Sequence, residues 1–568
     1  MDVIKWAPRL KASSGTHQLT SSPMPMPPLM WKWLIARGFE TKDQIQEFLT
    51  PSLSDIKNPF TLTDMNLAVD RLLLAYQTQE TICVYGDYDL DGSTGISLIV
   101  AGLKGLGFKN VSFYQPSRFL EGYGIHKEAL DIIAKRGDKI VISVDCGITA
   151  IEEAKHAGLL GLELIITDHH LPRQSDSGVL LPECLAVINP NRGNCTSSLT
   201  YLSGVGVGFY LLMAIKSRLP NSKFDLKSLL DLFAIGTISD MVPLKKENRV
   251  LVKHGLKNLS CTQRPGLQAL LQKLGLIDRE LDSTDVAFSI APKLNALSRL
   301  ELDIRPLDVL MCENLTQAQV MAEKVVDLNT QRKHLQTELE DRITAQLNEE
   351  LNQPVIVLSA NGHAGVVGLV ATKVSQLTGK PAFITAWHNG EGIGSARGTE
   401  VDCLPEGLSK ASEFLERFGG HAQAAGFSLQ PENFEGFKAA LIAHYSRRDL
   451  KEISIEQIYD VETELNEINE NFMNWLKHAG PFGVDNPPPV FKIKAVHVTG
   501  VKWLKEQHLK LTLSDLSTRT EALAFFAKGK YTVETGEKVD LFVEPSWNYW
   551  QGQKRLQLLI RGLKPISH

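Results

Sequence analysis

The sequence predicts an α/β protein in which two α/β domains are joined by a long helix and followed by a small β-barrel. From residue 81, short apolar runs alternate with helical stretches, which is typical of a parallel sheet covered on both faces. The stretch Leu315–Leu351 has apolar residues near helical spacing and no Gly or Pro, which predicts one long helix. After about residue 456, short alternating runs such as His508–Leu513 predict the strands of a barrel.

Length and composition predict a multidomain globular protein. The 568 residues are too many for one core, so we expect roughly three to five domains. No apolar run approaches the roughly 18–20 residues that span a bilayer, and the N-terminus lacks the apolar centre of a secretory signal, so no membrane association is expected. The 7 scattered cysteines form no CxxC pair, which favours a reducing compartment and a cytoplasmic location.

Changes of pattern along the chain predict five regions. The first α/β domain begins near the strand Thr81–Tyr85, and the second begins near Pro354–Leu358. The predicted regions are an N-terminal helical region (1–70), a first α/β domain (71–260), a helical connector (261–350), a second α/β domain (351–455) and the barrel (456–568).

The segment Gly86–Gly92 places three carboxylates at alternate positions directly after a buried strand. These are Asp87, Asp89 and Asp91. Because such close acids repel each other unless a cation neutralises them, the segment favours a metal site. An Asx-rich turn or a calcium loop is the alternative, although an EF-hand would need a closing Glu and two flanking helices.

Similar residues follow the other predicted elements of this domain. The strand Ile140–Val144 is followed by Asp145, the strand Leu164–Thr167 by Asp168-His169-His170, and a helical segment leads to Asp240. Each residue alone could be a helix N-cap or a structural histidine. In a parallel sheet, however, the carboxyl ends of the strands face one crevice, so together they predict a binding site.

The ligand types predict the metal. Carboxylates and imidazoles without thiolates favour Mn²⁺ or Mg²⁺ over a structural Zn²⁺. More acids are present than one ion needs, so we expect two ions, which in phosphoryl hydrolysis lie about 3.5–4 Å apart and activate a water.

These segments, in this order and at these separations, resemble the four motifs of the DHH phosphoesterase family. They read DYDLDG, VDCG, DHH and GTISDMVPL. Further segments resemble the RecJ branch of that family, its DHHA1 domain and its OB-like barrel: Pro116–Arg118, Glu121–Gly124, Ala291–Ala296, Gly394–Arg397, Gly419–Gly426 and Pro481–Gly483. The resemblance implies a single-stranded-DNA-specific exonuclease that hydrolyses from the 5′ end by a two-metal mechanism, releases 5′-mononucleotides and acts in DNA repair and recombination.

The resemblance also implies residue roles at the metal centre. Metal ligands would be Asp87, Asp89, Asp91, Asp145, His169 and Asp240. Asp145 would bridge the two ions. His170 would face the scissile phosphate as ligand or proton donor, and Asp168 would orient the histidine pair.

Substrate binding falls, by the same resemblance, to residues of the second α/β domain and two arginines outside it. The candidates are Arg118, Arg299, Ser395, Arg397, Gly420 and His421. Arg118 and Arg299 would bind the 5′-terminal phosphate. For a lone arginine the alternative is an ordinary surface residue, and for the glycines it is a tight turn.

The predicted barrel is basic. Residues 486–568 contain 13 Lys and Arg against 7 Asp and Glu, although the whole chain has a net charge of −5. Basic grooves with stacking aromatics are typical of single-strand binding, and Trp547, Tyr549 and Trp550 are the stacking candidates. A place in the barrel core is the alternative, which we expect for Trp503.

The expected partner is single-stranded DNA with a free 5′ end. A single-strand-binding protein and a helicase are further candidate partners, and the chain is expected to be a monomer. One alternative is a DHH hydrolase acting on short oligonucleotides or cyclic dinucleotides, which would need neither the long connector nor a basic barrel. The other is a non-catalytic replication scaffold, but the chain retains every expected acid and histidine.

Overall fold

The computed structural model covers most of the chain. It describes residues 5–9, 22, 24–118, 120–175, 178–300, 304–388, 390–398, 403–446, 456–515, 518–550 and 553–566. None of the described helices is both long and apolar enough to cross a lipid bilayer.

The first α/β domain follows one strand and three helices. They are β1 (Lys5–Pro8), α1 (Pro28–Ala36), α2 (Lys42–Leu49) and α3 (Met65–Thr78). The strands that come next are β2 (Ile82–Gly86), β3 (Val111–Tyr114), β4 (Ile140–Val144), β5 (Glu163–Thr167), β6 (Arg173–Ser175), β7 (Gly178–Leu180) and β8 (Ala186–Ile188). The helices are α4 (Leu90–Leu106), α5 (Lys127–Lys135), α6 (Ile151–Leu159), α7 (Gly204–Arg218), α8 (Leu230–Ser239) and α9 (Lys246–Ser260).

Five of these strands form a parallel sheet in the order β3-β2-β4-β5-β8. Alternate residues of β2 point to opposite faces: Ile82 and Val84 pack into a core with α4, α7 and α8, whereas Cys83 and Tyr85 pack against α5 and α6. A strand buried on both faces must be apolar at every position, which explains the continuous apolar run in the sequence. The predicted parallel sheet is therefore confirmed, with its strand ends at one edge.

A helical connector leads to the second α/β domain. It contains α10 (Pro265–Lys273), α11 (Ser283–Asp285), α12 (Ala291–Leu297), α13 (Pro306–Leu310) and the 36-residue α14 (Leu315–Glu350). The second domain contains β9 (Ile356–Asn361), α15 (Val367–Thr378), β10 (Ala382–His388), β11 (Glu391–Arg397), α16 (Leu404–Lys410), β12 (Arg417–His421), β13 (Ala424–Leu429) and α17 (Phe434–Ser446). Its sheet has the order β12-β13-β11-β10-β9, and only β9 and β10 are parallel. The single long helix is confirmed.

The C-terminal module is a closed barrel. Its elements are β14 (Glu456–Tyr459), β15 (Val461–Glu462), α18 (Glu470–Ala479), β16 (Phe491–Leu504), β17 (His508–Ser514), β18 (Arg519–Ala524), β19 (Lys538–Trp550) and β20 (Gln553–Pro565). Closure comes from β16, which pairs with both β17 and β19.

The N-terminal residues belong to the core of this barrel. Met30, Trp33 and Ile45 from α1 and α2 pack into the same apolar cluster as the barrel strands. β1 pairs in parallel with β14. The predicted N-terminal helical region is thus divided, since α3 packs instead against the parallel sheet.

Candidate metal centre and adjoining arginine cavity

The loop after β2 presents its carboxylates through the start of α4. Asp89 is the N-cap of α4, and its Oδ1 accepts a hydrogen bond of 3.0 Å from the Gly92 backbone N–H. A Cβ at Gly92 would lie 2.4 Å from the Asp87 carbonyl oxygen, so glycine is needed for this tight turn. Asp91, in the first turn of α4, accepts from the backbone N–H groups of Gly204 (2.6 Å) and Val205 (3.1 Å) at the start of α7.

The end of β4 supplies Asp145, which has a left-handed backbone with φ of 62°. A backbone in this region is strained for an aspartate and persists where surrounding contacts hold it. The Asp145 N–H donates to the Thr167 carbonyl at 3.0 Å. A Cβ at Gly204 would lie 2.4 Å from the Asp145 Cβ, so α7 can approach the aspartate only because Gly204 has no side chain.

The end of β5 supplies Asp168 and the two histidines. The Asp168 carboxylate accepts hydrogen bonds from the backbone N–H groups of Ile148 (2.9 Å), His169 (2.7 Å) and His170 (3.1 Å). It also lies 2.8 Å from His170 Nδ1. Asp168 is therefore fully engaged in orienting the histidine segment, as the sequence predicts for it.

Asp240 reaches the same crevice from the C-terminal end of α8, where it is the C-cap. The His169 Nε2 atom lies 3.2 Å from Asp145 Oδ1 and 3.5 Å from Asp240 Oδ2. Ligand atoms within 4.8 Å of one another form three overlapping groups, which are Asp87–Asp89–Asp145, Asp91–His169–Asp240 and Asp145–His169–His170. The structure thus brings together all the sequence-predicted metal residues.

The crevice carries more buried negative charge than its protein surroundings neutralise. Burial, and then the neighbouring aspartates, raises the pKa of Asp240 to about 9 and that of Asp91 to about 7. The same causes raise the pKa values of Asp87 and Asp145 well above their usual range. Within the described residues, Asp87 Oδ1, Asp145 Oδ1 and Asp240 Oδ2 are buried and accept no hydrogen bond, although His169 Nε2 lies near the last two. Carboxylate oxygens in this condition fit divalent cations such as Mn²⁺ or Mg²⁺.

The pKa values of Asp168 and His170 shift in opposite directions, down for the acid and up for the histidine. Burial alone raises the pKa of Asp168, but the charge and hydrogen bond of His170 outweigh it and lower the pKa to about 2. Burial alone lowers the pKa of His170, but the charge and hydrogen bond of Asp168 raise it to about 9. At neutral pH the pair is therefore an imidazolium beside a carboxylate. The Tyr123 hydroxyl lies 3.2 Å from His170 Nδ1.

A cavity of about 650 Å³ adjoins this crevice. Its lining includes the predicted substrate residues Arg118, Arg299, Ser395, Arg397 and Gly420. Tyr123, which contacts His170, also lines it, so the cavity and the metal centre share a wall. The His421 side chain lies outside the described part of the structure.

The cavity concentrates buried positive charge. Burial lowers the pKa of Arg299 to about 10, and Arg118, Arg332 and Arg397 add to this effect. Burial and Arg118 likewise lower the pKa of Arg397, whose Nη1 donates to Ser395 Oγ at 2.8 Å. Among the described residues no acid forms an ion pair with Arg118, Arg299 or Arg397. Such a cavity fits an anion, and planar guanidinium groups suit a phosphate.

Several lining residues were not predicted from the sequence, among them Tyr123, Arg417 and Phe418. Tyr123 belongs to the Glu121–Gly124 motif without a predicted role of its own, and Arg417 and Phe418 directly precede the Gly-Gly-His segment. The Phe418 side chain is 43% exposed beside the arginines. The two residues carry no motif of their own, so only the fold of β12 reveals them.

The barrel aromatics differ from the sequence expectation at one position. Trp503, expected in the core, is 42% exposed because it lies near the tip of the β16–β17 hairpin. Tyr549 is 42% exposed with the Arg279 guanidinium 4.7 Å from its ring centre. Trp547 is half-buried, and Lys554 Nζ lies 4.1 Å from its ring centre. The Trp550 side chain lies outside the described residues.

Comparisons with known proteins agree with this geometry. Residues 81–237 match the N-terminal domain of the DHH family, residues 352–446 the DHHA1 domain and residues 459–562 the RecJ OB domain. The chain is 35% identical over 561 residues to the single-stranded-DNA-specific exonuclease RecJ of Bacillus subtilis, covering 97% of this chain and 69% of that protein. It is 30% identical to the Escherichia coli protein of the same name, covering 96% and 97%.

Solved structures of RecJ proteins are also similar to this chain. The structure superimposes on RecJ in complex with Mn²⁺ from Thermus thermophilus with a TM-score of 0.79 and 29% identity, covering 96% of this chain and 76% of that one. An exonuclease RecJ bound to manganese matches with a TM-score of 0.60 and 34% identity, covering 68% and 95%.

Proposed function

We propose that this chain, which belongs to the RecJ family of single-stranded-DNA-specific exonucleases, hydrolyses single-stranded DNA from its 5′ end and releases 5′-mononucleotides. The observation that carries the proposal is the shared wall between the metal crevice and the arginine cavity. Tyr123 lines the cavity and lies 3.2 Å from His170 in the metal centre. A phosphate held by the arginines would place the next phosphodiester near the metal ligands.

The metal centre would hold two divalent ions, Mn²⁺ or Mg²⁺. Asp87, Asp89, Asp91, Asp145, His169 and Asp240 would be the ligands. Asp145, to which the resemblance assigns the bridging role, and His169 each belong to two of the three ligand groups. When bound, the pair supplies Lewis acidity for a water and for the leaving oxygen. With the ions bound, the excess negative charge of the crevice would be neutralised, so that the crevice no longer repels the phosphates of the substrate.

His170 would act on the scissile phosphate. Its Nδ1 lies 2.8 Å from Asp168 Oδ1, and this contact fixes the orientation of the ring. Because the charge and hydrogen bond of Asp168 raise the pKa of His170, an imidazolium here could donate a hydrogen bond to a phosphate oxygen or a proton to the leaving oxygen. Asp168 would orient the histidine pair, since its oxygens accept hydrogen bonds from the backbone and lie next to His170.

The arginine cavity would bind the 5′-terminal phosphate. Arg118, Arg299 and Arg397 supply the charge, and Ser395 fixes the Arg397 guanidinium. A cavity that ends the path of the strand favours cleavage next to a chain end over cleavage within the chain. His421 and Gly420 stay predicted contributors to the same pocket.

The barrel would hold the strand beyond the cavity. Its excess of Lys and Arg and its exposed rings of Trp503 and Tyr549 are suited to phosphates and stacked bases. The remaining expectations stay predictions. They are exchange with a single-strand-binding protein, supply of single strands by a helicase, action as a monomer, a role in DNA repair and a cytoplasmic location.

The test is digestion of one long 5′-phosphorylated single strand labelled in turn at each end, with Mn²⁺ present. We expect the 5′ label to be released first as a mononucleotide, while the 3′ label stays on long fragments. Release of the 3′ label first would contradict the proposed polarity. Faster hydrolysis of a dinucleotide than of the long strand would favour the short-oligonucleotide alternative.

A further inference from the structure

A buried arginine in α9 joins three parts of the chain. Arg249 Nη1 donates to the Phe48 carbonyl at 2.6 Å, and its Nη2 lies 3.1, 2.9 and 3.1 Å from the carbonyl oxygens of His478, Ala479 and Gly480. Its guanidinium lies 4.0 Å from the centre of the Phe48 ring. Burial lowers the pKa of Arg249 to about 10, and among the described residues it has no acidic partner. The cation is held by the C-terminal ends of α2 and α18, where helix dipoles favour positive charge.

The preceding residue of α9 joins two segments that lead to metal ligands. The buried Asn248 donates from Nδ2 to the Tyr201 carbonyl at 2.6 Å and to the Pro243 carbonyl at 3.1 Å. Tyr201 lies three residues before Gly204, whose N–H binds Asp91. Pro243 lies three residues after Asp240. One amide group therefore fixes the spacing between the two segments.

The loop after Asp240 also contacts the C-terminal module directly. The Leu244 N–H donates to the Val484 carbonyl at 2.8 Å, and Lys245 Nζ lies 2.9 Å from Asp485 Oδ2. A Cβ at Gly483 would lie 2.7 Å from the Leu244 side chain, so the two segments are in close contact. The residues that follow Asp240 are thus held between α9 and the C-terminal module.

We propose that Asn248 and Arg249, here called the α9 bridge, are positioning residues that let the packed C-terminal module set the spacing of the metal ligands Asp91 and Asp240. Arg249 holds α9 against the module through its hydrogen bonds. Asn248, the residue before it, holds the segments of Tyr201 and Pro243, which lead to Asp91 and Asp240 respectively. The inference rests on the proposed function, because it assumes that the crevice binds divalent ions. Neither residue belongs to the three ligand groups or to the lining of the arginine cavity.

The experiment is a calorimetric titration of the full-length protein with Mn²⁺, with thermal melting of each variant in parallel. Asn248→Ala is expected to raise the apparent Kd for Mn²⁺ about 10-fold, an effect typical of residues that orient metal ligands. Arg249→Lys, which keeps the charge and loses the planar fork, is expected to raise it less, about 3-fold by the same reasoning. The Mn²⁺ concentration for half-maximal activity should rise in proportion, and the rate at saturating Mn²⁺ should recover.

Lys477→Ala is the matched control. Lys477, in α18 of the C-terminal module, pairs with Glu280 of the helical connector, and Glu280 is not adjacent in sequence to a proposed metal ligand. Its Mn²⁺ affinity should stay within about 2-fold of the wild type, the ordinary range for an exposed ion pair. Equal weakening by Lys477→Ala would overturn the inference, because any loosening of the module would then suffice.

Wild-type Mn²⁺ affinity in the folded variants would also overturn it. If Asn248→Ala does not fold, the result for Arg249→Lys decides. Asp145→Ala separates this failure from failure of the proposed function. If the wild type shows no saturable Mn²⁺ binding that Asp145→Ala removes, the proposed function and this inference fall together.

Discussion

The metal crevice and the arginine cavity carry opposite charge, but in both of them burial and neighbouring like charges shift the pKa values of the side chains. In the crevice, burial and neighbouring acids raise the pKa values of Asp91 and Asp240. In the cavity, burial and neighbouring arginines lower the pKa values of Arg299 and Arg397. Each region holds several groups of like charge. The acids of the crevice and the arginines of the cavity could form ion pairs with each other, but among the described residues they do not. Charge without a protein ion-pair partner is the physical basis for the proposed occupants, which are cations in the crevice and a phosphate in the cavity.

The comparison predicts that the crevice governs the rate and the cavity governs substrate recognition. Asp145→Ala should abolish hydrolysis, with a loss of several kcal/mol of transition-state stabilisation, which corresponds to about 1,000-fold or more. Single-turnover assays with Mn²⁺ measure it, with binding of a 5′-phosphorylated strand as the control for fold. Activity within about 10-fold of the wild type would remove Asp145 from the centre.

Loss of an arginine should instead change the choice of 5′ end. Arg397→Gln is expected to raise KM for a 5′-phosphorylated strand about 10- to 100-fold with little change in kcat, since hydrogen bonds to charged groups contribute about 1.5–3 kcal/mol. The same strand with a 5′-hydroxyl is the control and should lose far less. Equal losses on the two strands would place Arg397 away from the terminal phosphate.

The uncompensated charge should also destabilise the metal-free protein. Because burial and neighbouring acids raise the pKa of Asp240 to about 9, its ionised form is disfavoured in the fold at neutral pH. Asp240→Asn should therefore raise the melting temperature in EDTA by a few degrees, for a gain on the order of 1 kcal/mol. Added Mn²⁺ should stabilise the wild type more than the variant. Asp70→Asn, at an exposed aspartate, is the control, and a lower melting temperature for Asp240→Asn in EDTA would refute the interpretation.

The smallest effect is expected in the barrel. Tyr549→Ala should weaken binding of a long single strand only about 3-fold, although base stacking contributes about 1–3 kcal/mol, because Arg279 already covers one face of the ring. Fluorescence anisotropy at two salt concentrations measures this. Tyr549→Phe keeps the ring and should bind like the wild type. An effect larger than that of Arg397→Gln would give the barrel, rather than the cavity, the main part in recognition.

The residues at the strand ends could be predicted from the sequence because two local signals coincide there. A strand buried on both faces is a continuous apolar run, and the acid or histidine that follows it marks the edge of the sheet. Asp145 and His169 are found in this way. The cavity arginines were named through family resemblance, since a lone arginine such as Arg299 gives no local signal.

Contacts between distant segments gave no signal in the sequence. The wrong expectation for Trp503 arose because a hairpin tip has the same alternating pattern as the barrel interior, so the pattern does not reveal where exposure begins. Asn248 and Arg249 look like ordinary polar residues of an amphipathic helix. The burial of Arg249 follows from the packing of α2 and α18 against α9, which joins residues more than 200 positions apart. Asn248 is instead covered by the segments of Tyr201 and Pro243.

The parallel pairing of Lys5–Pro8 with Glu456–Tyr459 has a consequence for synthesis and truncation of the chain. The strand Lys5–Pro8 has no partner strand until residues 456–459 have been synthesised, while the first α/β domain can fold in the meantime. A shortened protein that ends before residue 456 would expose the apolar side chains of Met30, Trp33 and Ile45. Removal of the C-terminal barrel therefore calls for removal of the first fifty or so residues as well, and a bulky N-terminal fusion would disturb the barrel before it disturbed the metal crevice.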